Sequence, residues 1–69
     1  MSVVDQWFKN KKKTYWKIWE MKEGGHAYFM CFPDDIWEPA HYGSEMSEEK
    51  CIEEIKWVIA SYLKRKDML

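Results

Sequence analysis

The stretch Ser47–Lys66, SEEKCIEEIKWVIASYLKRK, decides how the rest of the chain can fold. Projected at about 100° per residue, Cys51, Ile52, Ile55, Val58, Ile59 and Tyr62 gather on one arc of the helix, with Leu63 at its edge. Both ends carry the matching signals. Ser47 supplies an N-cap hydroxyl, Met46 precedes it as an apolar staple, and Glu48 and Glu49 occupy the first turn. Lys64, Arg65 and Lys66 close the last turn, where cations oppose the negative end of the helix dipole. The pattern predicts one long helix whose apolar arc is the core face. Trp57 falls on the far side of the wheel, and coverage by Trp7 and Phe8 or by a second copy is the favoured expectation over exposure as a contact anchor.

Working outward, Tyr42 and Gly43 precede this helix, and before them Ile36–Tyr42, IWEPAHY, predicts a short third strand or extended segment limited by Pro39. Pro33, Asp34 and Asp35 mark a turn. Thr14–Met21, TYWKIWEM, and His26–Phe32, HAYFMCF, are rich in aromatic and β-branched residues and flank a Gly-Gly pair, so they predict an antiparallel hairpin. With Gly24 and Gly25 as the two turn residues, Ile18 opposes Cys31 and Glu20 opposes Phe29. One face then carries Trp16, Ile18, Phe29 and Cys31. The other carries Tyr15, Lys17, Trp19, Met21, Tyr28, Met30 and Phe32. Residues 2–10, SVVDQWFKN, place Val3, Val4, Trp7 and Phe8 on one side of a short helix that needs a docking surface to persist.

The fold class predicted is α+β: a short N-terminal helix, a hairpin plus a third strand, and the long C-terminal helix on one sheet face, all in a single domain spanning 1–69. The expected core is Ile18, Phe29, Cys31, Ile55, Val58, Ile59 and Tyr62. A domain this small has little surplus stability, so it leans on large side chains or on a partner.

Composition narrows the function classes. Aromatic residues make up 17% of the chain, more than so small a core can hold, which places some on the surface. The net charge of −1 conceals an asymmetry, with lysines concentrated before residue 23 and acids after it. Two cysteines without a secretory segment predict free thiols in a cytoplasmic protein. No apolar run reaches the length of a membrane span. His26, His41, Cys31 and Cys51 lack the close pairwise spacing of a zinc site, and Asp34, Asp35 and Glu38 could form a carboxylate cluster for a divalent ion but the two Asp residues read first as turn formers, so neither metal nor cofactor is expected. No nucleophile or oxyanion donor accompanies His41, and a non-enzymatic role follows.

The central stretch from Tyr15 and Glu20 through the GG turn, AYFMCFPDD and HYGSEMSEEKCIEEIKWVI resembles the HicB-type antitoxin module, at Pro33, Asp34, Gly43, Ser47, Glu48 and Glu49. Ile36 and Trp37 stand where that family carries Leu-Pro-Gly. The resemblance implies a partial ribonuclease-H-like fold without nuclease activity that binds a small toxin protein. The element order is also similar to that of a double-stranded RNA-binding domain, although Glu48 and Glu49 occupy the place of its phosphate-binding lysines, where acids repel the backbone.

The leading expectation is a stoichiometric inhibitor or regulator of another protein, with Tyr15, Lys17, Trp19, Met21, Tyr28, Met30 and Phe32 as the partner-binding face. A homodimer through the surplus aromatics is a second use of such a face, and the N-terminal helix lying across it is the alternative that leaves no free face. The competing class is a nucleic-acid-binding module, in which Lys9, Lys11, Lys12, Lys13 and Lys17 contact phosphates while Tyr15, Trp19 and Tyr28 stack on bases. Trp37, His41 and the acidic edge at Asp34 and Glu38 form a fallback surface.

Overall fold

The structure, a computed structural model, describes residues 2–33 and 46–69 and the backbone of 41–43. Its elements run α1 (Val3–Lys9), β1 (Tyr15–Glu20), β2 (His26–Cys31), β3 (His41–Gly43) and α2 (Glu48–Arg65), an α+β arrangement as the periodicities predict. β1 and β2 form the antiparallel hairpin, and the three residues of β3 run antiparallel to His26–Tyr28 of β2. Of the strand expected over Ile36–Tyr42, residues 36 to 40 lie outside the described residues, as do the turn acids Asp34 and Asp35.

Local chemistry accounts for each helix end. Ser2 Oγ accepts from the Asp5 N–H at 3.2 Å, and Ser47 Oγ accepts from the Lys50 N–H at 3.1 Å, so both helices start on a serine cap. α2 stops in a paired closure: the Asp67 N–H reaches the Lys64 carbonyl at 3.2 Å and the Met68 N–H reaches the Leu63 carbonyl at 2.8 Å. That closure requires a left-handed residue, and Asp67 takes it with φ 57°. Between α1 and β1, Asn10 organises the lysine-rich run into a built turn. Its side-chain carbonyl accepts from Lys12 N–H, and its backbone carbonyl accepts from both Lys13 and Thr14 N–H, each at 3.0 Å.

The hairpin closes differently from the Gly-Gly reading. The Gly24 N–H donates to the Met21 carbonyl at 3.1 Å, and the Met21 N–H donates to the Gly25 carbonyl at 3.0 Å. Lys22 and Glu23 therefore form the corner, and Gly24, at φ 97°, is the left-handed residue that follows it. This moves the pairing by three positions, so Ile18 opposes Tyr28 rather than Cys31 and Glu20 opposes His26 rather than Phe29. A shift by an odd number exchanges the two faces of β2. Tyr28, Met30 and Phe32, expected on the partner-binding face, are buried in the core instead. Phe29 and Cys31, expected in the core, move to the opposite face, half-buried.

The core joins Tyr28, Met30 and Phe32 to Cys51, Ile55, Ile59, Tyr62 and Leu63, with Trp16, Ile18 and Val58 partly buried against it. Phe32 stacks on Tyr62 with centroids 3.8 Å apart. α1 packs here too: Val3, Val4, Trp7 and Phe8 lie against the same cluster, and Trp7 meets Tyr62 at 5.8 Å. Asp5 pairs with Lys56 of α2 at 3.1 Å, and that hydrogen bond holds the Asp5 carboxyl below its usual 3.8. Both helices thus occupy one side of the hairpin. The alternative in which the N-terminal helix lies across the face of Tyr15, Lys17 and Trp19 does not hold, because α1 packs on the core side.

A candidate binding face on the open side of the sheet

With both helices on one side, the alternation of β1 and β2 turns Tyr15, Lys17, Trp19, Ala27, Phe29 and Cys31 to the other. The cross-strand pairs are Tyr15 with Cys31, Lys17 with Phe29 and Trp19 with Ala27. Tyr15 and Trp19 keep 48% and 41% of their surface in contact with solvent, which a core or a covered face would not allow. The Tyr15 and Phe29 rings meet edge to face at 6.2 Å, and Ala27 is buried in the floor. The result is a shallow aromatic platform with Lys17 between Tyr15 and Trp19 and the Lys11 ammonium 5.7 Å from the Tyr15 ring centroid.

Of the residues predicted for this surface, the structure brings Tyr15, Lys17 and Trp19 together. It places Met21 in the hairpin loop, half-buried, and sends Tyr28, Met30 and Phe32 into the core. Sequence reading missed Ala27, Phe29 and Cys31. The signal that finds them is the Lys22-Glu23-Gly24 corner, which suits a turn followed by a left-handed glycine as well as Gly-Gly suits a two-residue turn.

The lysine run divides by role. Lys11 donates to the Trp16 carbonyl at 2.6 Å, and its ammonium sits 3.4 Å from the Trp16 ring centroid, where partial burial pushes its pKa below the usual 10.5. Lys13 lies 5.1 Å over the Trp7 ring, on the helix side. Lys9 and Lys12 are exposed. Two of the four lysines in this run, Lys11 and Lys13, are therefore already engaged with the rings of Trp16 and Trp7.

A second depression of about 590 Å³ runs along α2, lined by Tyr28, Lys50, Glu53, Glu54, Trp57 and Val58. The Tyr28 hydroxyl donates to Glu54 there at 3.2 Å. Trp57 is 79% exposed, so the expected cover from Trp7 and Phe8 is corrected: those rings are committed to Tyr62 and Trp16. Trp37, Asp34 and Glu38 of the fallback surface lie outside the described residues. Among the described residues, no three His, Cys, Asp or Glu side chains are placed to hold a metal ion, and no helix is long and apolar enough to cross a membrane. Comparison with protein-family models, with curated proteins and with solved structures finds no match to this chain.

Proposed function

We propose that this chain is a non-enzymatic binding module that engages another protein through the open sheet face, with Tyr15, Trp19 and Phe29 as anchors and Lys17 as the polar contact. One observation carries the reading: both helices pack on one side of the hairpin, and on the other side Tyr15 and Trp19 stay 48% and 41% exposed beside Phe29. An antiparallel sheet face open to water is ordinarily polar, because hydrated polar side chains incur no penalty there. Tyr and Trp are the residues whose large rings gain most from desolvation while a polar tip stays wet. A stoichiometric inhibitor or regulator in the cytoplasm, in the manner of an antitoxin, is the role that fits a small aromatic binding face.

The test is capture from cells in which the chain is native, using the parent, a Tyr15→Ser/Trp19→Ser double variant and Trp57→Ala as a surface control. A protein retained by the parent and by Trp57→Ala, lost with the double variant, and then bound by the purified chain, supports the reading. Equal capture by the parent and the double variant overturns it.

A second reading draws on one specific arrangement, Lys17 between Tyr15 and Trp19 on a single strand face, which pairs a phosphate contact with two stacking rings. Binding to single-stranded oligonucleotides that falls steeply with added salt and disappears in the double variant would favour nucleic acid instead.

A further inference from the structure

We infer that the outer edge of β1 pairs antiparallel with β1 of a second copy of this chain about a twofold axis at Ile18. This inference is independent of what the open face binds. Its starting point is the parity of the ladder. The Met21 N–H turns inward across the hairpin to the Gly25 carbonyl, and backbone groups of an antiparallel strand alternate in direction with a period of two. Tyr15, Lys17 and Trp19 therefore direct their backbone groups to β2, whereas Trp16, Ile18 and Glu20 direct theirs outward. The Lys11 ammonium on the Trp16 carbonyl, at 2.6 Å, occupies that outward position. Among the described residues, no strand pairs with this edge. It is six residues long and contains neither Pro nor Gly, which makes it a template for strand addition.

The chemistry of β1 selects its own copy as the occupant. Outward groups must oppose outward groups, and only twofold axes at Lys17 or at Ile18 keep five residues of each strand paired. An axis at Lys17 sets two ammonium groups directly opposite one another, which is repulsive. An axis at Ile18 sets Lys17 opposite the partner's Trp19, twice by symmetry, in the closely spaced positions where a cation meets a ring. The same register sets Trp16 opposite the partner's Glu20. Lys11 lies 3.4 Å over the Trp16 ring, so its ammonium passes from the Trp16 carbonyl to that carboxylate as the partner's N–H takes the carbonyl. Two hairpins then become one continuous sheet, and their open faces become one platform.

Sedimentation of the full chain from micromolar to millimolar concentration, with amide hydrogen exchange followed over the same range, tests the inference. The expected result is a monomer–dimer equilibrium in which the Trp16, Ile18 and Glu20 amides gain protection with concentration. Lys17→Ser should weaken the dimer by about tenfold, since two cation–ring contacts are lost. Glu20→Gln should weaken it as well. Lys17 and Glu20 are exposed in the single chain, so both variants keep the fold. A chain that stays monomeric at millimolar concentration overturns the proposal, and so does a dimer whose outward amides exchange as fast as in dilute solution. A dimer tightened by Lys17→Ser overturns the Ile18 axis, because only an axis at Lys17 gains from removing that charge.

Discussion

Phe8 and Trp16 are joined twice: their rings stack with centroids 4.5 Å apart and planes 12° from parallel, and the Trp16 indole N–H donates to the Phe8 carbonyl at 2.7 Å. A helix as short as α1 has no independent stability, so this double contact, with Trp7 on Tyr62, is what keeps it on the body. Trp16→Phe retains a stacking ring and loses only the donor, so it should cost about 1 kcal/mol. Trp16→Ala removes both and should cost about 3 kcal/mol, with faster amide exchange throughout α1. Urea unfolding and hydrogen exchange on the two variants check the difference.

Ile55 is fully buried at the centre of the α2 face, between Cys51 and Ile59. Ile55→Ala should destabilise by about 2–5 kcal/mol through lost burial and a residual cavity, enough to unfold much of a small domain at room temperature. An unfolding midpoint equal to that of the parent would contradict the placement of this face.

Thr14 is fully buried at the entry to β1, and its hydroxyl has no hydrogen-bond partner among the described residues. An unsatisfied buried hydroxyl is a cost that a methyl of the same shape does not carry. Thr14→Val should therefore hold or raise stability by about 1 kcal/mol, where most core substitutions lower it. Thermal and urea unfolding of this variant decide the sign.

The two thiols should differ in reactivity. Burial, followed by the carboxylates of Glu54 and Glu48, pushes the Cys51 thiol above its usual 9.0, and its side chain is closed to solvent. Cys31 is half-buried on the open face. A thiol reagent under native conditions should modify Cys31 alone, and Cys51 should react only at the rate of unfolding.

Tyr28 carries the pH dependence at the alkaline end. Burial, with the Glu54 carboxylate beside it, raises the hydroxyl well above its usual 10.0. The folded state thus holds this proton more tightly than the unfolded chain does. The resulting stability is fully present below about pH 10 and is lost as pH rises from there through the folded-state value. Tyr28→Phe removes the titrating group, so its stability should fall less steeply than the parent's over the same alkaline range, measured by urea unfolding at successive pH values.

What amino-acid order alone determined is the two helices, the two hairpin strands and the inward face of α2. Ser47, the two glutamates after it and the basic end bound that helix locally, and Cys51, Ile55, Ile59 and Tyr62 recur at helical spacing, so no distant contact was needed to place them inward. The hairpin strands were legible for the same local reason. Their faces were not, because both Gly24 and Gly25 adopt positive φ and either of two corner geometries satisfies the same residues. Only packing against α1 and α2 separates them: the observed register buries Tyr28, Met30 and Phe32 against Ile55, Ile59 and Tyr62, and it leaves Tyr15, Lys17 and Trp19 outside. The side taken by α1 was likewise tertiary, set by Trp7 on Tyr62, Phe8 on Trp16 and Asp5 on Lys56, contacts between residues too far apart in the chain for any local pattern to announce. The open aromatic face exists because those contacts drew the second helix to the side already occupied by the first.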